Sequence, residues 1–159
     1  MLQLLKYTGK DFDDYYSIVA DDQVMKYITG NGMSKKQARE KFTSIMQINE
    51  EENLLGYFKV IDHDHGLIGD CKLVRYKYDR SMLEIGYLLK YAFWRKGFGT
   101  KICKKLLGKS AEIAPKDNII GVIDPDNVAS KRLLEKFGFK SCFIGEENDI
   151  PTEKFILCR

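Results

Sequence analysis

The stretch from Glu84 to Thr100 reads EIGYLLKYAFWRKGFGT, and it determines the fold that we predict. Its first part is almost continuously apolar as far as Leu89, which is typical of a strand covered on both faces. Gly97 and Gly99 follow, and after them apolar residues recur at helical spacing. These helix positions are Ile102, Cys103, Leu106 and Leu107. The stretch therefore predicts a buried strand, a turn with two glycines and the start of a helix.

The same region carries the positive charge of the chain. The net charge is only +3, yet residues 85–111 contain seven basic and no acidic residues. The N–H groups at the start of a helix have no acceptors within the helix, and the helix dipole favours an anion there. Bare backbone at Gly97 and Gly99, flanked by Arg95 and Lys96, suits a pyrophosphate group. A tight turn followed by a solvated basic helix face is the alternative.

Two other phosphate-binding motifs do not fit the spacing. The pattern G-x-x-x-x-G-K-[ST] is absent, and Ile102 stands where G-x-G-x-x-G requires its third glycine. The sequence therefore excludes both the P-loop and the dinucleotide fingerprint.

Length and composition predict one domain over residues 1–159. The chain is 44% hydrophobic and has only 3 prolines, which excludes a disordered or collagen-like protein. No apolar run is long enough to span a membrane, and the start does not resemble a signal peptide. The 4 cysteines form no C-x-x-C pair, so we expect a reduced, cytoplasmic protein without a membrane partner.

The remaining patterns predict a mixed α/β (α+β) fold with a largely antiparallel sheet. Helices are expected near residues 11–19, after Ser34, after Gly99 and from Asn127 to Phe137. Strands are expected at residues 2–7, 54–61, 67–75, 82–89, 119–123, 140–144 and 152–157. We expect turns or loops at residues 76–81 and 146–151.

The segment from Glu84 to Thr100 resembles the acetyl-CoA motif of the GNAT N-acetyltransferase superfamily. That pattern is V/I-x-x-x-x-Q/R-x-x-G-x-G/A, and here Trp94 departs from it at the Q/R position. The branch of ribosomal-protein N-terminal acetyltransferases often has W-x-K-G-x-G/A-T instead. Asn127 to Phe139 is similar to that branch's N-x-x-S-x-x-x-x-E-K-x-G-F, and Asp21 to Tyr27 matches its acidic stretch before V-M-x-Y.

This resemblance implies a twisted sheet of six or seven strands with about four helices, and an acyl-CoA-dependent N-acyltransferase. The strand ending at Leu89 would splay away from the strand at residues 119–123, and the pantetheine arm of acetyl-CoA would fill the gap. The residues implied to bind this co-substrate are Leu88, Leu89, Trp94, Arg95, Lys96, Gly97, Phe98, Gly99, Thr100, Asn127 and Ser130.

Two residues are candidates for the catalytic steps. Glu84 matches the position of the glutamate base of some superfamily members, and a structural carboxylate bonded to its neighbours is the alternative. Many members place a tyrosine acid at the position of Leu134, so that tyrosine is missing. The Ser130 hydroxyl would then assist the leaving thiolate, or it would only help to cap the helix near Asn127.

The acceptor would be a small-molecule or peptide primary amine: a protein N-terminus, a polyamine or an aminoglycoside-like compound. Residues 12–49 would form its wall and residues 27–32 a lid, with Tyr27 and Tyr87 as substrate-binding candidates. His63 and His65 lack a cysteine partner at zinc spacing, so no metal is expected.

Two other classes of function stay open. A non-catalytic acyl-CoA-binding sensor is favoured by the missing tyrosine at Leu134. A nucleic-acid-binding module has little support beyond the basic segment, so we expect no nucleic-acid partner. The sequence leaves both a monomer and a homodimer open.

Overall fold

The computed structural model describes residues 1–159. Its centre is one seven-stranded sheet in the order β1-β2-β3-β4-β5-β7-β6. The strands are β1 (Leu2–Lys6), β2 (Gly56–Asp62), β3 (Gly66–Tyr76), β4 (Asp79–Leu89), β5 (Ile119–Ile123), β6 (Lys140–Glu147) and β7 (Ile150–Leu157). Only β4 and β5 pair in parallel; every other neighbouring pair is antiparallel. The predicted fold class is confirmed.

Five α-helices flank the sheet, one more than the sequence predicted. They are α1 (Phe12–Val19), α2 (Asp22–Met25), α3 (Lys35–Glu51), α4 (Phe98–Ile113) and α5 (Val128–Lys136). The additional helix, α2, has four residues, and the Asp21 side chain caps it by accepting from the N–H groups of Gln23 and Val24. A single turn has no apolar periodicity, so the pattern could not indicate it.

Two connections are shorter than the sequence predicted. The β3–β4 hairpin turns at residues 77–78 and the β6–β7 hairpin at residues 148–149, because strand pairing continues into the expected loops. Asn148 and Asp149 have φ of 52° and 62°. Two consecutive positive φ angles are typical of the tight turn that suits the twist of a hairpin.

Hydrophobic clusters cover both faces of the sheet. Side chains of α4 and α5, such as Ile102 and Leu134, pack on one face. Those of α1 and α3, such as Ile18 and Phe42, pack on the other around Tyr7. None of the helices combines the length and apolarity needed to cross a membrane.

Candidate active site

The central feature of the site is a gap in the sheet between β4 and β5. These strands pair only from Leu83 opposite Ile119 to Ile85 opposite Gly121. Beyond this point β4 continues to Leu89 without β5 beside it. The splay that the family resemblance implied is therefore present in the fold.

A cavity of about 240 Å³ occupies this gap and extends to both faces of the sheet. Eighteen of its 26 lining residues are hydrophobic. Tyr15 and Ile45 line it on the α1 and α3 side, whereas Cys103 and Leu133 line it on the α4 and α5 side. Two molecules that enter from opposite faces would meet at the gap.

The start of α4 presents unpaired backbone N–H groups. Between Arg95 and Thr100, no backbone N–H makes a well-aligned hydrogen bond to the rest of the chain. Gly97 caps the helix with φ of 81°, and Arg95 also has a positive φ, 60°. Such an angle is unfavourable for a residue with a Cβ, and strain of this kind is often kept at functional sites. The predicted pyrophosphate position thus has the free donors that it needs.

The two positions of the motif require glycine for different structural reasons. A Cβ at Gly97 would meet no atom within 4 Å, so glycine is favoured there by the left-handed φ and not by lack of space. A Cβ at Gly99 would lie 3.0 Å from the Tyr87 hydroxyl oxygen, so this glycine allows α4 to approach β4. The sequence attributed both glycines to the approach of an anion.

Trp94 joins the two parts of the motif. Its indole Nε1 donates a hydrogen bond of 2.8 Å to the Leu89 carbonyl at the end of β4. Leu88 and Leu89 pair on their other side with Asp70 and Gly69 of β3. Trp94 therefore holds the end of the unpaired part of β4 next to the turn that leads to α4.

Asn127 and Ser130 lie together at the start of α5. The Asn127 side-chain oxygen accepts a hydrogen bond of 3.2 Å from the Ser130 N–H and so caps the helix. Both residues line the cavity on the α4 and α5 side. Burial raises the pKa of Tyr87, and the nearby Ser130 hydroxyl opposes that rise.

Glu84 is engaged in an ion pair. Its carboxylate accepts a hydrogen bond from Lys72 Nζ, and the Glu84 side chain is 13% exposed. Burial lowers the pKa of Lys72, but attraction to Glu84 and to other nearby groups outweighs burial and leaves that pKa raised. Lys72 lines the cavity, whereas Glu84 does not.

The two substrate-binding candidates lie on different faces of the sheet. Tyr27 lines the cavity beside Ile28 and Met25, on the α1 and α3 side. The Tyr87 ring faces Gly99 and Ser130, on the side of α4 and α5. The structure therefore does not bring Tyr27 and Tyr87 together on one wall.

Two carboxylates line the cavity, Asp70 of β3 and Asp124 after β5, and sequence reasoning assigned neither of them to the site. Asp70 is buried, and the Tyr7 hydroxyl donates to its Oδ2 at 2.9 Å. Burial raises the pKa of Asp70 to about 7, while the Tyr7 hydrogen bond and Lys72 act in the opposite direction. The available signal was an acidic residue within the apolar run Leu67 to Val74.

No group of three or more His, Cys, Asp or Glu side chains is arranged to hold a metal ion. His65 instead shares a hydrogen bond of 2.6 Å with Asp62, at the β2–β3 hairpin.

The sequence of residues 1–140 matches the family described as acetyltransferase (GNAT) domain. The chain belongs to the GNAT acetyltransferase family. This confirms the resemblance drawn from the motifs and the enzyme class, an acetyl-CoA-dependent N-acetyltransferase.

Among GNAT relatives, an uncharacterized N-acetyltransferase YnaD of Bacillus subtilis (strain 168) is 25% identical over 148 residues, covering 89% of this chain and 84% of that protein. The spermidine N-acetyltransferase from Vibrio cholerae, solved with CoA and spermine, superposes with a TM-score of 0.77 at 18% identity, covering 99% and 95%. RimL, the ribosomal L7/L12 alpha-N-protein acetyltransferase, solved with CoA, gives a TM-score of 0.80 at 12% identity, covering 99% and 93%. At these identities the solved structures establish the shared fold.

Proposed function

We propose that residues 1–159 form one catalytic domain that transfers an acetyl group directly from acetyl-CoA to a primary amine within a ternary complex. The observation that carries this proposal is the cavity through the β4–β5 gap, which opens to both faces of the sheet. Direct transfer requires that two substrates meet without water between them, and an apolar passage provides that arrangement.

Acetyl-CoA would occupy the α4 and α5 side of the gap. The pyrophosphate would accept hydrogen bonds from the free N–H groups from Arg95 to Thr100, with the Arg95 and Lys96 side chains beside it. The pantetheine arm would run along β4 and bond to the backbone of Leu88 and Leu89, which lack β5 as a partner.

Ser130 would donate to the departing thiolate. Asn127 caps α5 through the Ser130 N–H, so the Ser130 hydroxyl is not needed as the cap. This hydroxyl lies in the cavity wall near Tyr87, on the cofactor side. A hydroxyl placed there favours the transition state as charge develops on sulfur.

The sequence left two roles open for Glu84, a catalytic base and a structural carboxylate. We propose the structural role. Its carboxylate neutralises Lys72, whose ammonium would otherwise stand unpaired in the cavity wall. An unpaired charge at such a place is unfavourable. The role of Glu84 as the base stays a prediction that the Glu84→Gln variant tests.

The acceptor would enter on the α1 and α3 side, past Tyr27. We propose a small-molecule or peptide amine as the partner and the cytoplasm as the location, because acetyl-CoA and reduced cysteines are expected there. The four cysteines are free in the structure.

The test measures release of free CoA thiol from acetyl-CoA with a panel of polyamines, aminoglycosides, peptide N-termini and simple monoamines. We expect amine-dependent thiol release together with a stoichiometric acetamide product. Binding of acetyl-CoA by calorimetry with no thiol release for any amine would instead support the non-catalytic sensor.

A further inference from the structure

Asp70 lies at the point where the two substrates of the proposed reaction would meet. In the β3–β4 pairing it stands opposite Leu88, in the part of β4 that has separated from β5. Its side chain is on the same face as Tyr7, which packs with α1 and α3. Asp70 therefore faces the acceptor side of the gap.

One carboxylate oxygen of Asp70 is available to a ligand. Oδ2 accepts from the Tyr7 hydroxyl, whereas Oδ1 has no hydrogen-bond partner in the chain. Every fully enclosed side-chain nitrogen and oxygen in this protein does have a partner. Oδ1 is therefore accessible from the cavity that Asp70 lines.

The wall around this oxygen on the acceptor side is apolar. Nine residues between positions 15 and 57 line the cavity, and Lys41 is the one charged residue among them. The other eight are Tyr15, Val19, Met25, Tyr27, Ile28, Met33, Ile45 and Tyr57. An ammonium that enters along this wall would find the carboxylate of Asp70. The other carboxylate that lines the cavity, Asp124, follows β5 on the far side of the gap. A second positive charge held against residues 15–57 would therefore meet Lys41 and uncharged, mostly apolar side chains.

We propose that Asp70 Oδ1 binds the ammonium of the acceptor and takes its proton, and that the acceptor is a primary amine with a single positive charge on an apolar body. This assignment rests on the proposed acetyl transfer. It excludes polyamines as preferred acceptors, because residues 15–57 of this wall offer their further ammonium groups no carboxylate.

The proton balance of the step is complete. The ammonium transfers one N–H proton to Asp70 Oδ1, and the neutral nitrogen then forms the C–N bond with the acetyl carbon. The C–S bond breaks, and the thiolate receives the second proton that the nitrogen loses. The proton on Asp70 passes to solvent, so one amide, one CoA thiol and one free proton are formed.

The electrostatics around Asp70 are those of a working base. Burial raises its pKa to about 7, and the Tyr7 hydrogen bond, Lys72 and Lys41 limit that rise. The other titratable groups near it are Tyr15 of α1 and the adjacent Cys71 of β3, which are neutral because burial raises the pKa of each. A base with a pKa near the working pH is the most effective one.

The first experiment compares Asp70→Asn with the native enzyme, using the best acceptor of the amine panel. Asparagine keeps the shape and an acceptor for Tyr7, so the variant should fold. We expect kcat/KM at pH 7 to fall by about a hundredfold or more, with partial recovery at high pH where the free amine is already neutral. The exposed control Asp13→Asn should keep the native rate.

The second experiment shifts the pKa of Asp70 and keeps the carboxylate in place. Lys41→Met deletes a positive charge that lowers this pKa, so the acidic limb of the kcat/KM profile should shift to higher pH. A role of Asp70 confined to structure would leave that limb unchanged. A native pH profile in both Asp70→Asn and Lys41→Met would overturn the assignment of the base.

The third experiment compares 2-phenylethylamine with spermidine as acceptors. We expect kcat/KM to be at least tenfold higher for 2-phenylethylamine, and a preference for spermidine or for another polycationic amine of the panel would overturn the acceptor class. Native enzyme that releases no thiol with any amine would overturn the proposed function itself. If the native enzyme turns over and kcat/KM of Asp70→Asn is unchanged, only the assignment of Asp70 as the base would be overturned.

Discussion

The side-chain oxygen of Asn127 accepts a hydrogen bond of 3.2 Å from the Ser130 N–H. This bond distinguishes the capping role from the proposed catalytic role of the Ser130 hydroxyl, which the sequence could not do. The helix cap belongs to Asn127, and the Ser130 hydroxyl remains for the cavity that Ser130 lines. Asn127 thus has a structural task in α5, and the Ser130 hydroxyl is available for the chemical role that we propose for it.

Ser130→Ala should lower kcat about tenfold or more and change acetyl-CoA affinity little, because the hydroxyl acts mainly as charge develops on sulfur. Asn127→Ala should instead lower the free energy of unfolding by about 1 kcal/mol, the usual cost of a lost cap. The measurements are kcat per folded molecule and urea unfolding, with the exposed Ser44→Ala as control. A native kcat for Ser130→Ala would leave that hydroxyl without a catalytic role.

Gly97→Val should weaken CoA binding at least tenfold, about 1.4 kcal/mol. The new side chain meets no protein atom, but it would stand at the free N–H groups of the α4 start, on a backbone with φ of 81°. The matched control is Gly66→Val at the first residue of β3, directly after the β2–β3 turn, where φ is 71° and the surroundings are equally open.

Both valine variants should lose a similar free energy of unfolding, about 1–2 kcal/mol for the left-handed φ. Only Gly97→Val should lose CoA affinity in calorimetry. Equal affinities in the two folded variants would show that the phosphates bind elsewhere.

Glu84→Gln should destabilise the protein by about 1–3 kcal/mol, since it leaves Lys72 without its partner at a partly buried position. We expect kcat/KM of the folded variant at pH 7 to stay within a few-fold of native. The double variant Glu84→Gln with Lys72→Met removes the unpaired charge and should regain part of the stability. A loss of two to four orders of magnitude in kcat/KM, recovered at high pH, would instead make Glu84 the base.

The stability of the protein should depend on pH through Asp70. Its pKa in the folded state, about 7, lies above the ordinary 3.8, so between these values the folded chain holds a proton that the unfolded chain has lost. The free energy of unfolding therefore decreases as pH rises from about 4 to 7, by at most about 1.4 kcal/mol per pH unit.

Asp70→Asn should remove this dependence. The native protein loses stability as pH rises to 7 and the variant does not, so the stability of the variant relative to the native protein should increase up to pH 7. Urea unfolding at pH 5 and pH 7 measures the difference. A constant difference across this range would mean that Asp70 keeps its ordinary pKa in the folded protein.

Local sequence patterns were sufficient to predict the family, the seven strands and four of the five helices. These features follow from local patterns. Examples are the apolar strand before Gly97, the capping box that Ser34 forms with Gln37, and Gly138 with its positive φ after α5. Each depends on backbone geometry and on neighbours within a few residues, which a linear sequence displays directly.

Which polar groups lie together depends on contacts between distant parts of the chain. Tyr7 and Asp70 are 63 residues apart and share one hydrogen bond, and Lys72 meets Glu84 across two strands. The separation of β4 from β5 and the burial of Asp70 depend on strand register and on helices that pack on both faces. The desolvation of a carboxylate is a property of everything that surrounds it, so the raised pKa that makes Asp70 a candidate base is visible only in the folded chain.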